Sequence, residues 1–369
     1  MKKNFNVGVV IIFCIIVIFF GKIVRHTVMN ETLVKTGVGW YLVDNINSGN
    51  VHYGLTIKDS ETNESDSSAT MNASYIYSKI NFLKLAETYY EYEILISIIW
   101  NFILLIIISK LKKTFNFFET IFIVLSVAVL NIFDFCLAKE PIQMLYFILM
   151  YLLLISNKSI KTKTIGSFLI YILCFLTYRN YYILMAGFFV FIYYLYKLLL
   201  SKIKKINKKH IFLILISIFI CYYSFLYVIK IYDIASYNEL LRVRLRTSSA
   251  ASDMSALFNS TNLFIFTLDY IFMLIRMLIP LELIKLGPKY FIYIVYQIFI
   301  TYIFIKNIID INKINKMRRI ALFIFIAFLM GSAAFEPDFG SWVRHEAVAI
   351  PIVFIIQNIK RIDNKETKI

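Results

Sequence analysis

One stretch near the C-terminus, Glu336-Pro337-Asp338-Phe339-Gly340-Ser341-Trp342-Val343-Arg344-His345-Glu346, concentrates side chains that can do chemistry. A carboxylate such as Glu336 or Asp338 can take a proton from a hydroxyl or orient it. His345 belongs to the one residue type that exchanges protons readily near neutral pH. The planar fork of Arg344 can bind two oxygens of a phosphate or diphosphate at once. Pro337 and Gly340 are expected to break the chain, so that a new helix starts near Ser341. Its free N–H groups and positive dipole end then favour an anion. The stretch lies between apolar runs at 320–335 and 347–357. A charge at bilayer depth costs about 2.5–3.5 kcal/mol on insertion scales, which argues against packing as its only purpose. The candidate catalytic residues are therefore Glu336, Asp338 and His345, with Arg344 as an anion holder. A purely structural alternative is an interfacial ion pair between Arg344 and Glu336 or Glu346.

The elements that must position these residues follow from composition. The chain has 369 residues, 60% of them hydrophobic. Its mean hydropathy is +0.72. Apolar runs of helix length alternate with short basic clusters, the pattern of an all-α polytopic integral membrane protein. The formal charge of +16 sits largely between the runs, as positive-inside loops do, and no nucleic-acid reader motif accompanies it. Cys14, Cys136, Cys174 and Cys221 fall in or beside apolar runs and read as small core residues. No metal-type spacing, nucleotide loop or Gly-x-Ser-x-Gly turn is present.

Basic clusters set the topology. Lys2 and Lys3 hold the N-terminus in the cytoplasm, and the first apolar run lacks a small-x-small cleavage site. Lysines at 110–113, 158–163 and 202–209 mark later inside loops, and Lys360 and Arg361 place the C-terminus inside. About ten spanning helices result, within a range of 10–12, in a single membrane domain over 1–369. Long external loops are expected at 24–93 and 231–262. Parity requires that one of the runs at 211–229, 263–279 and 290–305 does not cross. The choice falls on 263–280 as a re-entrant or interfacial segment, because it carries Asp269 and Arg276 on one helix face and ends at Pro280. Asp269 is the structural alternative as partner for Arg276. The outer face then gathers Lys139, Glu140, Arg179, Arg242, Arg244, Arg276 and Arg344. The Arg242–Arg246 alternation also reads as a solvated loop.

The turn Glu336-Pro337-Asp338-Phe339-Gly340-Ser341 with Arg344-His345 resembles a turn of Wzy-type O-antigen or capsular repeat-unit polymerases. Arg276 with Pro280, and Lys139-Glu140 at a helix head, extend the likeness. The resemblance implies a glycosyltransferase-type polymerase in the bacterial plasma membrane. It would join undecaprenyl-diphosphate-linked oligosaccharides into capsule or exopolysaccharide at the outer face, without a cofactor or metal. Partners implied are the lipid-linked substrate, the bilayer and other assembly proteins such as a flippase or chain-length regulator. The resemblance implies that external arginines hold the anionic carriers, and the candidates here are Arg179, Arg242, Arg244, Arg276 and Arg344. The long loop after the first helix departs from the family, which often carries its largest loop in the second half. Two other readings stand beside this one. A membrane glycosyltransferase using a polyprenyl-phosphate sugar would place its acid in the first loop, where Asp44 is the candidate. A lipid-linked sugar flippase would show two similar halves.

Overall fold

The computed structural model describes residues 4–25, 89–136, 139–201, 203, 207–231, 254, 256–258, 262–287, 290–336 and 338–357. The expected long loops fall mostly outside these residues, and Arg242 and Arg244 lie outside them altogether. The described chain is all-α, with twelve helices, apart from two three-residue strands that the sequence pattern did not announce. The helices are α1 (Val7–Val24), α2 (Tyr89–Ser109), α3 (Phe117–Val129), α4 (Glu140–Ile155), α5 (Ile160–Thr177), α6 (Tyr182–Leu195), α7 (Lys208–Ile231), α8 (Leu263–Leu278), α9 (Phe291–Ile309), α10 (Lys316–Phe335), α11 (Phe339–Ala347) and α12 (Ile350–Ile356). Strands β1 (Asn4–Asn6) and β2 (Thr114–Asn116) pair antiparallel, with Phe5 opposite Phe115. They tie the start of α1 to the start of α3.

Six helices among the described residues are long and apolar enough to cross a membrane. They are α1, α3 with its terminal π-helical turn (Leu130–Asp134), α5, α6, α9 and α10. The pair α11–α12 is bent by 64° and makes a seventh if counted as one broken span. Shorter apolar helices occupy Glu93–Ser109, Glu140–Ile155 and Phe212–Val228. Asparagines start four elements: Asn6, Asn116, Asn262 and Asn315 each accept a backbone N–H of the following first turn. A side-chain oxygen there satisfies a donor that the helix leaves open. Asn116 and Glu119 complete a capping box, with both bonds at 2.9 Å.

The chain forms two compact units. Unit 1 comprises 1–157, 169–180 and 344–369; unit 2 comprises 158–168 and 181–343. In unit 1, α1 packs on α3 and α2, and α12 on α4. Gly21 permits the close approach of α1 to α3, since a Cβ there would lie 3.0 Å from Asn131 Cβ. Asn101 of α2 and Asn131, in the turn that ends α3, exchange amide hydrogen bonds at 2.8 and 2.9 Å. In unit 2, α10 is buried along nearly its whole length and packs on α6. A Cβ on Gly331 would meet Met185 Cγ at 2.5 Å, so only glycine fits this contact without repacking. Tyr222 stacks on Tyr270 at 4.9 Å and donates its hydroxyl to the Met330 carbonyl.

The region expected to be a turn from 336 to 346 is largely helical. α11 starts at Phe339 rather than near Ser341, and Gly340 sits inside it instead of breaking it. Asp338 precedes the helix and accepts Ser341 N–H at 2.8 Å and Ser341 Oγ–H at 3.0 Å. The segment expected to be re-entrant contains a continuous sixteen-residue helix, α8. At about 1.5 Å per residue it spans roughly 24 Å, the same length as α4. After Pro280 the chain makes a 3-10 turn (Leu281–Leu286), which Gly287 ends at φ 101°, a left-handed backbone that glycine adopts without steric cost.

Candidate functional site

The polar centre of unit 1 is built on Glu140. It is the first residue of α4, followed by Pro141, which has no N–H to satisfy. A carboxylate in this first turn faces the positive end of the helix dipole. Glu140 is fully buried. Arg344 Nη1 and His345 Nε2 of α11 each lie 3.3 Å from its Oε1. Arg179, from the turn after α5, places Nη1 3.2 Å from the same His345 Nε2. Gln143, one turn into α4, donates Nε2–H to the His345 carbonyl at 3.3 Å. Tyr178 donates its hydroxyl to the Lys139 carbonyl at 2.8 Å, and its ring lies 5.3 Å beneath the Arg179 guanidinium. Thus α4, the 178–180 turn and α11 bring Lys139, Glu140, Arg179, Arg344 and His345 together.

His345 Nε2 stands between a donor and an acceptor, and one nitrogen cannot serve both. In the neutral form protonated on Nδ1, Nε2 accepts from Arg179. With a proton on Nε2 the ring donates toward Glu140 instead.

Asp134 adds a second buried carboxylate, at the end of the π-helical turn after α3. It lies among the charged groups Glu140, Arg344, Arg25 and Lys22. Among the described residues, no well-aligned hydrogen bond reaches either of its oxygens or either oxygen of Glu140. Glu140 is held by its ion-pair contacts with Arg344 and His345, while the Asp134 carboxyl is buried with open hydrogen-bonding capacity among the described residues. Beside them, Arg25 of α1 pairs with Glu93 of α2 and donates to the Ile132 carbonyl at 3.1 Å. Lys22 donates to the Phe135 carbonyl, which also accepts Ser97 Oγ–H at 2.8 Å.

The other expected site residues lie elsewhere. Arg276, in unit 2, is held by Glu282 through two bonds, Nε–Oε1 at 2.8 Å and Nη2–Oε2 at 2.7 Å. It also stacks 5.9 Å over Phe339. Asp269 is not its partner in these bonds; Asp269 accepts the Leu257 N–H at 2.9 Å. Glu336 is buried at the end of α10 in unit 2, and Asp338 is occupied as the α11 cap. Sequence reasoning missed Lys22, Arg25, Glu93 and Asp134 as members of the centre. Their signal was a charge at the end of an apolar run, read as a flank. Among the described residues no group of three or more His, Cys, Asp or Glu side chains is placed to hold a metal ion. No protein-family model, curated protein or solved structure matches this chain.

Proposed function

We propose that the chain is a glycosyltransferase-type polymerase of the bacterial plasma membrane. In this reading it joins undecaprenyl-diphosphate-linked repeat units into capsular or exopolysaccharide at the outer face. Both termini face the cytoplasm, ten helices cross the bilayer with α11–α12 as one of them, and α8 stays on the outer side. The Glu140 centre then lies toward the outer face, because the ends of α1 and α3 and the start of α4 share that side.

The observation that supports this reading is the convergence of Arg344 and His345 on buried Glu140, with Arg179 held against His345. The two arginines suit a diphosphate, whose oxygens compete with Glu140 for the Arg344 fork. Asp134 supplies acceptor positions for sugar hydroxyls. The acceptor hydroxyl passes its proton to His345 as its oxygen bonds to the anomeric carbon. The bond from that carbon to the diphosphate oxygen breaks, and its electron pair leaves with the carrier. Glu140 stabilises the imidazolium that results, a role that keeps the charge of each step inside the cluster.

The test uses the full chain in lipid nanodiscs, supplied with lipid-linked repeat units extracted from a strain lacking it. Wild type should yield a ladder of longer glycans, and Glu140→Gln, which keeps the shape, should not. Elongation by Glu140→Gln at the wild-type rate would overturn the assignment.

A further inference from the structure

Unit 2 contains an apolar cavity of about 60 Å³, walled by α6, α7, α9 and α10. Phe191, Ile192, Ile214, Ile218, Ile326 and Met330 are among the residues that line it. Such a lining offers no partner to water, so the cavity stays dry until an apolar group enters it. The wall from α10 is one helix stripe, Phe323, Ile326 and Met330. Arg319 is four residues before Phe323, at the foot of the same stripe.

Arg319 is half-buried, and its side chain is fixed in place. Nε–H donates to the Ile311 carbonyl and Nη2–H to the Ile314 carbonyl, both at 3.0 Å. Its guanidinium lies 4.6 Å from the ring of Tyr196, itself a lining residue of the cavity. Among the described residues, Nη1 has no hydrogen-bond acceptor. The apolar slot thus lies beside a positioned, partly satisfied cation that stacks on one lining residue, Tyr196, and bonds the carbonyl of another, Ile311. Around this end Lys197, Lys306 and Lys316 are exposed, while the nearby acid Asp310 is engaged by Lys313 at 2.6 Å.

We propose that this is a binding site for one anionic phospholipid. Part of an acyl chain fills the slot along Phe323, Ile326 and Met330, and a phosphodiester oxygen takes the Nη1–H of Arg319. The slot is too small for a whole tail, so the remainder lies in the bilayer. A single positioned guanidinium matches a singly charged phosphodiester; a diphosphate would call for a second positioned arginine. The inference concerns unit 2 alone and does not depend on the polymerase reading.

Native mass spectrometry of the detergent-purified full chain, titrated with phosphatidylglycerol or phosphatidylcholine of equal chain length, tests it. Wild type should retain one phosphatidylglycerol about tenfold more tightly than phosphatidylcholine, as expected for a charge-assisted hydrogen bond. Arg319→Gln should bring the two lipids to parity. Ile326→Trp, which fills the slot, should abolish retention of both. Ile218→Trp fills the slot from half-buried α7 and serves where the α10 variant fails to fold. Equal binding of the two lipids by wild type would overturn the proposal. So would undiminished retention by a folded tryptophan variant.

Discussion

The two units bury different things. The interior of unit 1 is threaded by charge, with Arg25 on Glu93 and Arg344 and His345 on Glu140. Unit 2 also holds buried acids, Asp269 and Glu336, but its interior closes around rings and small residues: Tyr222 on Tyr270, Tyr181 on Phe335, Gly331 against Met185. The contrast has a physical meaning. A ring-packed interior is stable without help, because every contact adds dispersion and no charge is desolvated. An interior with buried ions must offset a desolvation cost of several kcal/mol for each, and replacing such a pair by apolar residues is often neutral or stabilising. The charges retained under those terms at Glu140 are the ground on which the proposed ligand site rests.

The contrast can be broken in several ways. Arg344→Ala leaves Glu140 buried beside an empty place and should lower stability by about 3–5 kcal/mol, the largest effect foreseen. Denaturant unfolding of the purified protein would measure it, and a loss under about 1 kcal/mol would show that the pair is effectively solvated. In unit 2, Gly331→Leu drives a side chain into Met185 and should cost about 1–3 kcal/mol, while leaving any chemistry at Glu140 unchanged. Loss of activity at full stability from that change would end the division of labour. Asp338→Ala removes the α11 cap and should cost about 0.5–2 kcal/mol; Asp338→Asn, which still caps, should recover it. If Asp338→Asn restores stability but not activity, that carboxylate is a chemical group rather than a cap. The smallest effect should come from the Asn101–Asn131 exchange, where a double-mutant cycle should give about 0.6 kcal/mol of coupling.

Much of the fold was legible in the chain. Apolar runs of helix length leave few alternatives, since the backbone must satisfy itself in hydrocarbon. Arg179, Arg344, His345, Lys139 and Glu140 were all singled out from sequence, yet nothing there could show that they meet, because they lie up to 206 positions apart (345 − 139). Helix periodicity suggested Asp269 for Arg276, since residues seven apart share a face. The chain turns at Pro280 and brings Glu282 back instead, a contact that periodicity cannot reveal. The stretch before Arg344 looked like a turn because it is polar. Asp338 is in fact a helix cap, a signal present in the sequence but masked by the neighbouring Pro337 and Gly340. Lys22, Arg25 and Asp134 were hidden by position, since a charge at the end of an apolar run usually reaches water.

The most direct measurement is glycan length in a strain deleted for this gene and complemented with wild type, Arg344→Lys or Glu140→Gln, at matched protein levels. Arg344→Lys keeps the charge that the fold needs and removes the fork that would hold a diphosphate. Long chains from wild type and single repeat units from both variants are the predicted result. Full-length polymer from both variants would contradict the site, and complete loss of the repeat unit in the deletion strain would contradict the polymerase.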